Sequence, residues 1–299
     1  MIKIKAQQNG KLDLFISVRG PAVYLDNFAI KELAKGNASR RRRFLAAVNR
    51  GAELLFSVAN AAELTGFQGG SFREVRAFLE EIGPHWFPVE LDPNKVVKRE
   101  LSGKNADESC FSDKFMRDYL RYRAGNKPLK QNISAEFFRL GPIMDWLAPQ
   151  RDSIAKGKAD LDDKLIRNIK DHRAKYEADP QWLETAFRML PAYEYPPATF
   201  AYNSLIRRLI LEIKGHHLKR NDGIDFCQAV IASAFTSFAT LDKPWKRRIE
   251  SLPKPNKLAR IYYSQELDSM VADVDSALSR IALARGLQLT TLTSQQPAL

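Results

Sequence analysis

Four acidic residues stand at the ends of apolar runs, and their type and placement suit one chemistry. Asp26 closes Ala22-Val23-Tyr24-Leu25, and Glu63 follows Leu54-Leu55-Phe56-Ser57-Val58. Asp225 opens the stretch Phe226 to Phe235, and Asp242 closes Phe238-Ala239-Thr240-Leu241. Short apolar runs read as buried strands, and a charge at the end of one is costly unless something pairs with it. Four carboxylates gathered at one edge of a parallel sheet would offer an all-oxygen ligand set, which suits Mg²⁺ or Mn²⁺. Such ions lower the pKa of bound water and clamp the attacking and leaving oxygens of a phosphodiester. That chemistry needs no His or Cys nucleophile.

Size and composition leave room for it. A chain of 299 residues can bury a large core, and 44% hydrophobic with 27% charged residues is ordinary for a folded protein. No apolar stretch reaches the roughly 20 residues of a membrane helix. The start, Met1-Ile2-Lys3-Ile4-Lys5, lacks the apolar core of a secretory signal. Cys110 and Cys227 lie far apart and form no metal or redox motif, so a reducing cytoplasm is expected. The net charge of +12 favours a polyanionic partner such as nucleic acid.

The elements that must position the acids follow from periodicity. Strands are expected at 12–18, 22–26, 54–58 and 86–91, with helices at 27–34, from Asn37 or Ser39 to Gly51, from about Asn60, and at 71–82. From 93 to 220 strand signals fade. Helical periodicity appears at 111–123, 134–147, 160–178, 181–190 and 199–216, with Phe137, Phe138, Trp146, Trp182, Phe187 and Tyr193 as core candidates. The α/β pattern returns with a helix at 224–235, a strand at 237–241, a helix at 244–251, a strand at 261–263 and a last helix at 265–284. The tail is expected to be mobile.

The order of acids and elements resembles the PIN-like nuclease superfamily. The resemblance rests on Val23-Tyr24-Leu25-Asp26-Asn27, on Phe56-Ser57-Val58-Ala59-Asn60-Ala61-Ala62-Glu63-Leu64, and on the stretch from Asp225 through Ala229-Val230-Ile231-Ala232-Ser233-Ala234 to Phe238-Ala239-Thr240-Leu241-Asp242-Lys243. It covers about half the chain. It implies a three-layer α/β fold with a central, mostly parallel sheet, formed discontinuously by 1–92 and 221–290. Residues 93–220 would then be a large all-helical insertion, with 291–299 a tail. The resemblance also implies one or two divalent cations and hydrolysis of RNA or, in some relatives, structured DNA.

Each candidate has a plainer reading beside the chemical one. Asp26 suits a helix cap, Glu63 a solvated helical position, and Asp242 a cap before Pro244. Asn221-Asp222-Gly223-Ile224-Asp225 offers both Asp222 and Asp225 as the third acid; Asp225 is preferred as the first-turn helix acid, with Asp222 the turn residue. Asn60, Thr240 and Asn27 suit hydrogen bonding to a ligand carboxylate, or ordinary cap and strand roles. Lys243, Lys246, Arg247 and Arg248 follow the fourth acid and are the preferred phosphate contacts. Arg40 to Arg43 disperse around a helix, and Lys214, His216, His217, Lys219 and Arg220 precede the third acid. The expectation is a metal-dependent endoribonuclease, with a toxin or defence role by analogy and a regulatory protein partner conceivable. The alternatives are a catalytically inactive nucleic-acid-binding or adaptor protein, and a structure-specific DNA nuclease.

Overall fold

The computed structural model describes residues 2–6, 12–65, 70–104, 109–125, 138–213, 215 and 217–293. The strands β1 (Ile2–Ala6) and β2 (Leu12–Ile16) pair antiparallel as a separate hairpin. The strand expected at 12–18 is therefore present but outside the main sheet. That sheet contains β3 (Ala22–Tyr24), β4 (Glu53–Ser57), β5 (Trp86–Val89), β6 (Phe238–Thr240) and β7 (Arg260–Tyr262), in the order β5-β4-β3-β6-β7. All its pairings are parallel. β3 to β6 are buried at every residue, as strands covered on both faces are.

The chain builds outward from β3 to β5, then returns to place β6 on the other side of β3. The strand order therefore reverses between β3 and β6. In open α/β sheets, ligands bind outside the carboxyl ends of the strands at such a switch point.

Helices α1 (Asn27–Lys35), α2 (Ala38–Asn49), α3 (Val58–Thr65) and α4 (Gly70–Ile82) link the first three sheet strands. Asn37 caps α2 by accepting from Ser39 N and Arg40 N. α3 begins before Asn60 because the Ser57 hydroxyl oxygen accepts from the Asn60 N–H at 3.2 Å.

The next segment holds α5 (Pro93–Leu101), α6 (Asp113–Ala124), α7 (Leu140–Leu147), α8 (Arg151–Ala178), α9 (Trp182–Ala186) and α10 (Pro197–Leu211). α8 starts nine residues before the expected 160, directly after the 3₁₀ turn Ala148–Gln150, because Gly157 sits on an exposed face and does not break it. α9 and α10 end earlier than the periodicity suggests. The chain closes with α11 (Asp222–Phe235), α12 (Lys243–Glu250) and α13 (Leu267–Thr293). α13 is helical through Thr290, where a loose tail was expected, and 294–299 lie outside the described residues.

Helices α1, α2, α4 and α13 pack among themselves, as do α5, α8, α10, α11 and α12; α13 and α11, one from each group, both reach β6. Buried Met116, Phe138, Met144, Ile169 and Leu205 of the helical segment join the same hydrophobic cluster as Tyr24, Phe56 and Trp86 of the sheet. Tyr193, expected in the core, is 71% exposed, and Phe137 lies outside the described residues. Among the described residues no helix is long and apolar enough to cross a membrane. Both cysteines are free and buried.

One contact ties the helical segment to the sheet's neighbour α11. The N-cap position of α11, Asn221, has φ 78° and its side chain makes no cap hydrogen bond. Buried Asp162 of α8 takes over, accepting from Asn221 N at 2.7 Å, Gly223 N at 2.9 Å and Ile224 N at 3.1 Å. These are orphan donors of a helix N-terminus, and a carboxylate is favoured there. The close approach requires glycine: a Cβ on Gly223 would meet the Asp162 backbone O and Oδ1 at 2.9 Å and Leu165 Cβ at 3.1 Å. Gly223→Ala should therefore cost about 1–3 kcal/mol in denaturant unfolding. Gly157→Ala, in open space on α8, should gain up to about 1 kcal/mol. Equal effects at both positions would contradict the packing described.

Candidate active site

Parallel pairing sets Tyr24 opposite Ala239, so β3 and β6 end side by side. Asp26 and Asp242 each lie two residues past those ends. Glu63 projects from α3 beyond β4, and Asp225 from the first turn of α11. The four carboxylates Asp26, Glu63, Asp225 and Asp242 line one cavity of about 140 Å³, with Phe28 and Trp245 among its other walls.

Asp26 both caps a helix and faces this cavity. Its Oδ1 accepts from Ala29 N at 2.8 Å and from the Thr240 hydroxyl at 3.1 Å. Its own N–H donates to Thr240 Oγ1 at 2.8 Å. Thr240 thus bolts the end of β6 to the end of β3. Burial raises the Asp26 pKa, Asp242 adds to the rise, and the Ala29 and Thr240 hydrogen bonds oppose it. The Asp225 pKa is pushed up to about 7, first by burial, then by the charges of Asp242, Asp222 and Glu63.

Glu63 is held at both oxygens. Lys158 Nζ, from α8, donates to Oε1, and Asn27 Nδ2 donates to Oε2. Fully buried Asn60 stands behind Asn27. Its Nδ2 donates to Asn27 Oδ1 at 3.2 Å and to Leu25 O at 3.4 Å. Its Oδ1 accepts from the Tyr24 hydroxyl at 3.3 Å, the Ser57 hydroxyl at 2.7 Å and Ser57 N at 3.1 Å. Asn60 therefore acts on Glu63 through Asn27. Burial raises the pKa of the Tyr24 hydroxyl, which stays a neutral donor.

Asp222 is not on the cavity wall; its Oδ2 accepts from Lys219 N at 2.6 Å, the turn role, while Asp225 faces the cavity. The basic cluster divides. Lys246 is engaged by both oxygens of Glu266, at 2.7 and 2.6 Å. Arg248 is buried, pairs with Glu212 at 2.9 Å and lies 4.7 Å over the Trp245 ring. Lys243 and Arg247 are exposed, and neither makes an ion pair among the described residues. Arg40 pairs with Asp268 and Arg41 with Glu81, whereas Arg42 and Arg43 are exposed. Lys214 and His216 lie outside the described residues.

Lys158 and Asp162 escape sequence reading. Both sit in a helix rich in Lys and Asp at every face, where nothing in the spacing marks one as special. Phe28, 46% exposed on the cavity wall, follows Asp26-Asn27 and carries no spacing in the sequence that marks it.

The donor set fits a hard cation by type, since every carboxylate on the wall offers oxygen and their mutual repulsion at Asp225 is only partly offset by Lys158. The fit is to a hydrated ion on a wall rather than to a closed cage. Among the described residues no three Asp, Glu, His or Cys side chains draw together closely enough to enclose a metal. Mg²⁺ commonly keeps several waters and takes only one or two carboxylates.

The fold and site together define a parallel α/β protein with an acidic cavity at the switch point of its sheet. The chain matches no known protein family, no curated protein and no solved structure.

The raised Asp225 pKa has a definite sign. The folded chain holds that proton more tightly than the unfolded chain, so ionising it destabilises the fold. The penalty is absent below about pH 4, grows as pH rises and is complete above about 7. Asp225→Asn should thus raise the metal-free melting temperature at about pH 8 and do much less at about pH 4. Equal shifts at both would show that Asp225 is not under electrostatic stress.

Proposed function

We propose that the chain is a divalent-metal-dependent endonuclease that hydrolyses phosphodiester bonds in single-stranded RNA. The observation that carries this reading is the meeting of Asp26, Glu63, Asp225 and Asp242 on one cavity at the switch point of the sheet. The resemblance of their order to PIN-like nucleases supports it. So does the net charge of +12, which suits a polyanion.

A bound Mg²⁺ or Mn²⁺ would supply a nucleophilic water and neutralise phosphate charge. Asp26, Asp225 and Asp242 would hold it, with Glu63 able to join once freed from its partners. Thr240 fixes the Asp26 carboxylate, and Asn60 fixes Asn27 against Glu63. Lys243 and Arg247, exposed on the helix that follows Asp242, would hold flanking phosphates. A binding or adaptor protein without turnover is the second reading, favoured by the Lys158 ammonium already paired with Glu63.

Labelled RNA should be cut with Mg²⁺ or Mn²⁺ and left whole in EDTA. Asp26→Asn and Asp242→Asn should each reduce cutting at least a hundredfold while the fold persists. Undiminished cutting in EDTA refutes the metal mechanism, and a folded, metal-binding chain that never cuts supports the second reading.

Lys243→Ala with Arg247→Ala should weaken RNA binding and lower the salt slope by roughly one to two, near one per lost phosphate contact. Lys246→Ala should leave the slope unchanged, because its charge is committed to Glu266. Anisotropy at several salt concentrations, with Ca²⁺ to slow cutting, reads both; the reverse pattern would place the phosphate path elsewhere.

A further inference from the structure

Helix α8 walls one cavity and, through Lys158 on Glu63, reaches the edge of another. The second is the acidic cavity. The first is larger, about 520 Å³, and its walls include Ala62, Ala159, Lys158, Asp163 and Arg220. Glu63 belongs to both walls. Lys158 stands at this boundary with its side chain only 16% exposed and its ammonium on Glu63 Oε1. With Asn27 on the other oxygen, each Glu63 oxygen already carries one partner, and a cation arriving at Oε1 meets the Lys158 ammonium at contact range.

Lysine is the partner able to move. Its ammonium is a compact charge on a flexible four-carbon stem, and its three donors need no fixed orientation. Asn27 by contrast is pinned from behind by Asn60. An ammonium and a divalent cation compete for the same carboxylate oxygen, and the higher charge density of the divalent ion favours it there.

The larger cavity offers somewhere for the ammonium to go. Its size falls in the range of small-molecule sites, roughly 300–1,000 Å³. The small side chains of Ala62 and Ala159 leave room along one wall. Asp162, also on that wall, has both oxygens on backbone N–H groups of α11, which leaves exposed Asp163 as the other carboxylate there. Arg220 is exposed and makes no ion pair among the described residues, so it stands as a second cation on the same wall.

Building on the nuclease reading, we infer that Lys158 is a dual-use cation. It holds Glu63 while the site lacks a divalent ion. When the ion takes that carboxylate, the released ammonium binds the phosphate of a nucleotide seated in the adjoining cavity. The helical segment thereby contributes a substrate contact as well as packing. The same charge is felt across the acidic cavity, where it opposes the rise in the Asp225 pKa.

The test compares the wild-type chain with Lys158→Met, Lys158→Arg and Glu63→Gln, each checked for an unchanged fold by circular dichroism. Mn²⁺ binding is measured by calorimetry. Binding of a short fluorescein-labelled single-stranded RNA is measured by anisotropy in Ca²⁺ and in EDTA. Lys158→Met should bind Mn²⁺ about three- to tenfold more tightly, since its competitor is gone, and Glu63→Gln more weakly. In Ca²⁺, Lys158→Met should bind RNA more weakly with a salt slope lower by about one, and Lys158→Arg should restore the slope. In EDTA the Met variant and wild type should share one slope. Unchanged or weaker Mn²⁺ binding in Lys158→Met overturns the competition, and an unchanged slope in Ca²⁺ overturns the phosphate contact. Wild type that binds no Mn²⁺ overturns the nuclease reading itself. Mn²⁺ binding that Glu63→Gln weakens and Lys158→Met leaves alone overturns only the role given to Lys158.

Discussion

The parallel pairing of two three-residue strands, Ala22–Tyr24 and Phe238–Thr240, governs everything at the candidate site. Their ends lie side by side although 214 positions separate Asp26 from Thr240, and the Thr240 hydroxyl bonds both the amide and the carboxylate of Asp26. So short a ladder carries few backbone hydrogen bonds. The helices on its faces must hold it, which is why the strands are buried throughout and why residues far along the chain feed one hydrophobic cluster. The crevice that opens beside the switch point is then a consequence of topology. Two of the acids sit there because they terminate the two strands concerned.

The helical segment is bound into this arrangement from two directions. Asp162 caps α11 from outside and so fixes the helix whose first turn carries Asp225. One turn earlier on α8, Lys158 meets Glu63. A single helix therefore touches the supports of two of the four acids. Behind Glu63 the buried chain Tyr24–Asn60–Asn27 satisfies the polar groups it contains, the condition under which such a network adds rigidity rather than cost. Carboxylates in this setting repel one another, and burial sharpens the repulsion at Asp26 and Asp225. A cavity of this kind is a poor place for unbalanced negative charge and a favourable one for a cation.

What sequence reveals here divides along physical lines. The strands of the sheet are legible because buried parallel strands are short apolar runs with polar ends, and the acids are legible because they are those ends. Between Asp222 and Asp225 the sequence favours Asp225, because Asp222 suits the turn before the helix, and the facing of α11 gives them those places. The hairpin partner Ile2–Ala6 goes unread because Ile2-Lys3-Ile4-Lys5 alternates too briefly to claim a strand. Arg248 reads as a surface cation, yet it is buried against Trp245, one turn earlier on its own helix, and Glu212, a remote partner that no local pattern connects to it. Lys158 and Asp162 are hidden for the converse reason. Their helix is polar nearly all round, so the two positions that turn inward carry no distinguishing neighbours. The helical segment's share in the common core is likewise invisible to periodicity, which reports an apolar face but not what that face meets.

In the proposed nuclease, Asp26, Asp225 and Asp242 together would seat a divalent cation at the carboxyl edge of the sheet. Anomalous diffraction from crystals soaked in Mn²⁺ tests it most directly. The account predicts a single strong peak, or a close pair, inside the cavity these residues line, within coordination distance of at least two of the three carboxylates. Full occupancy at some other place on the chain, with that cavity holding only water, would contradict it.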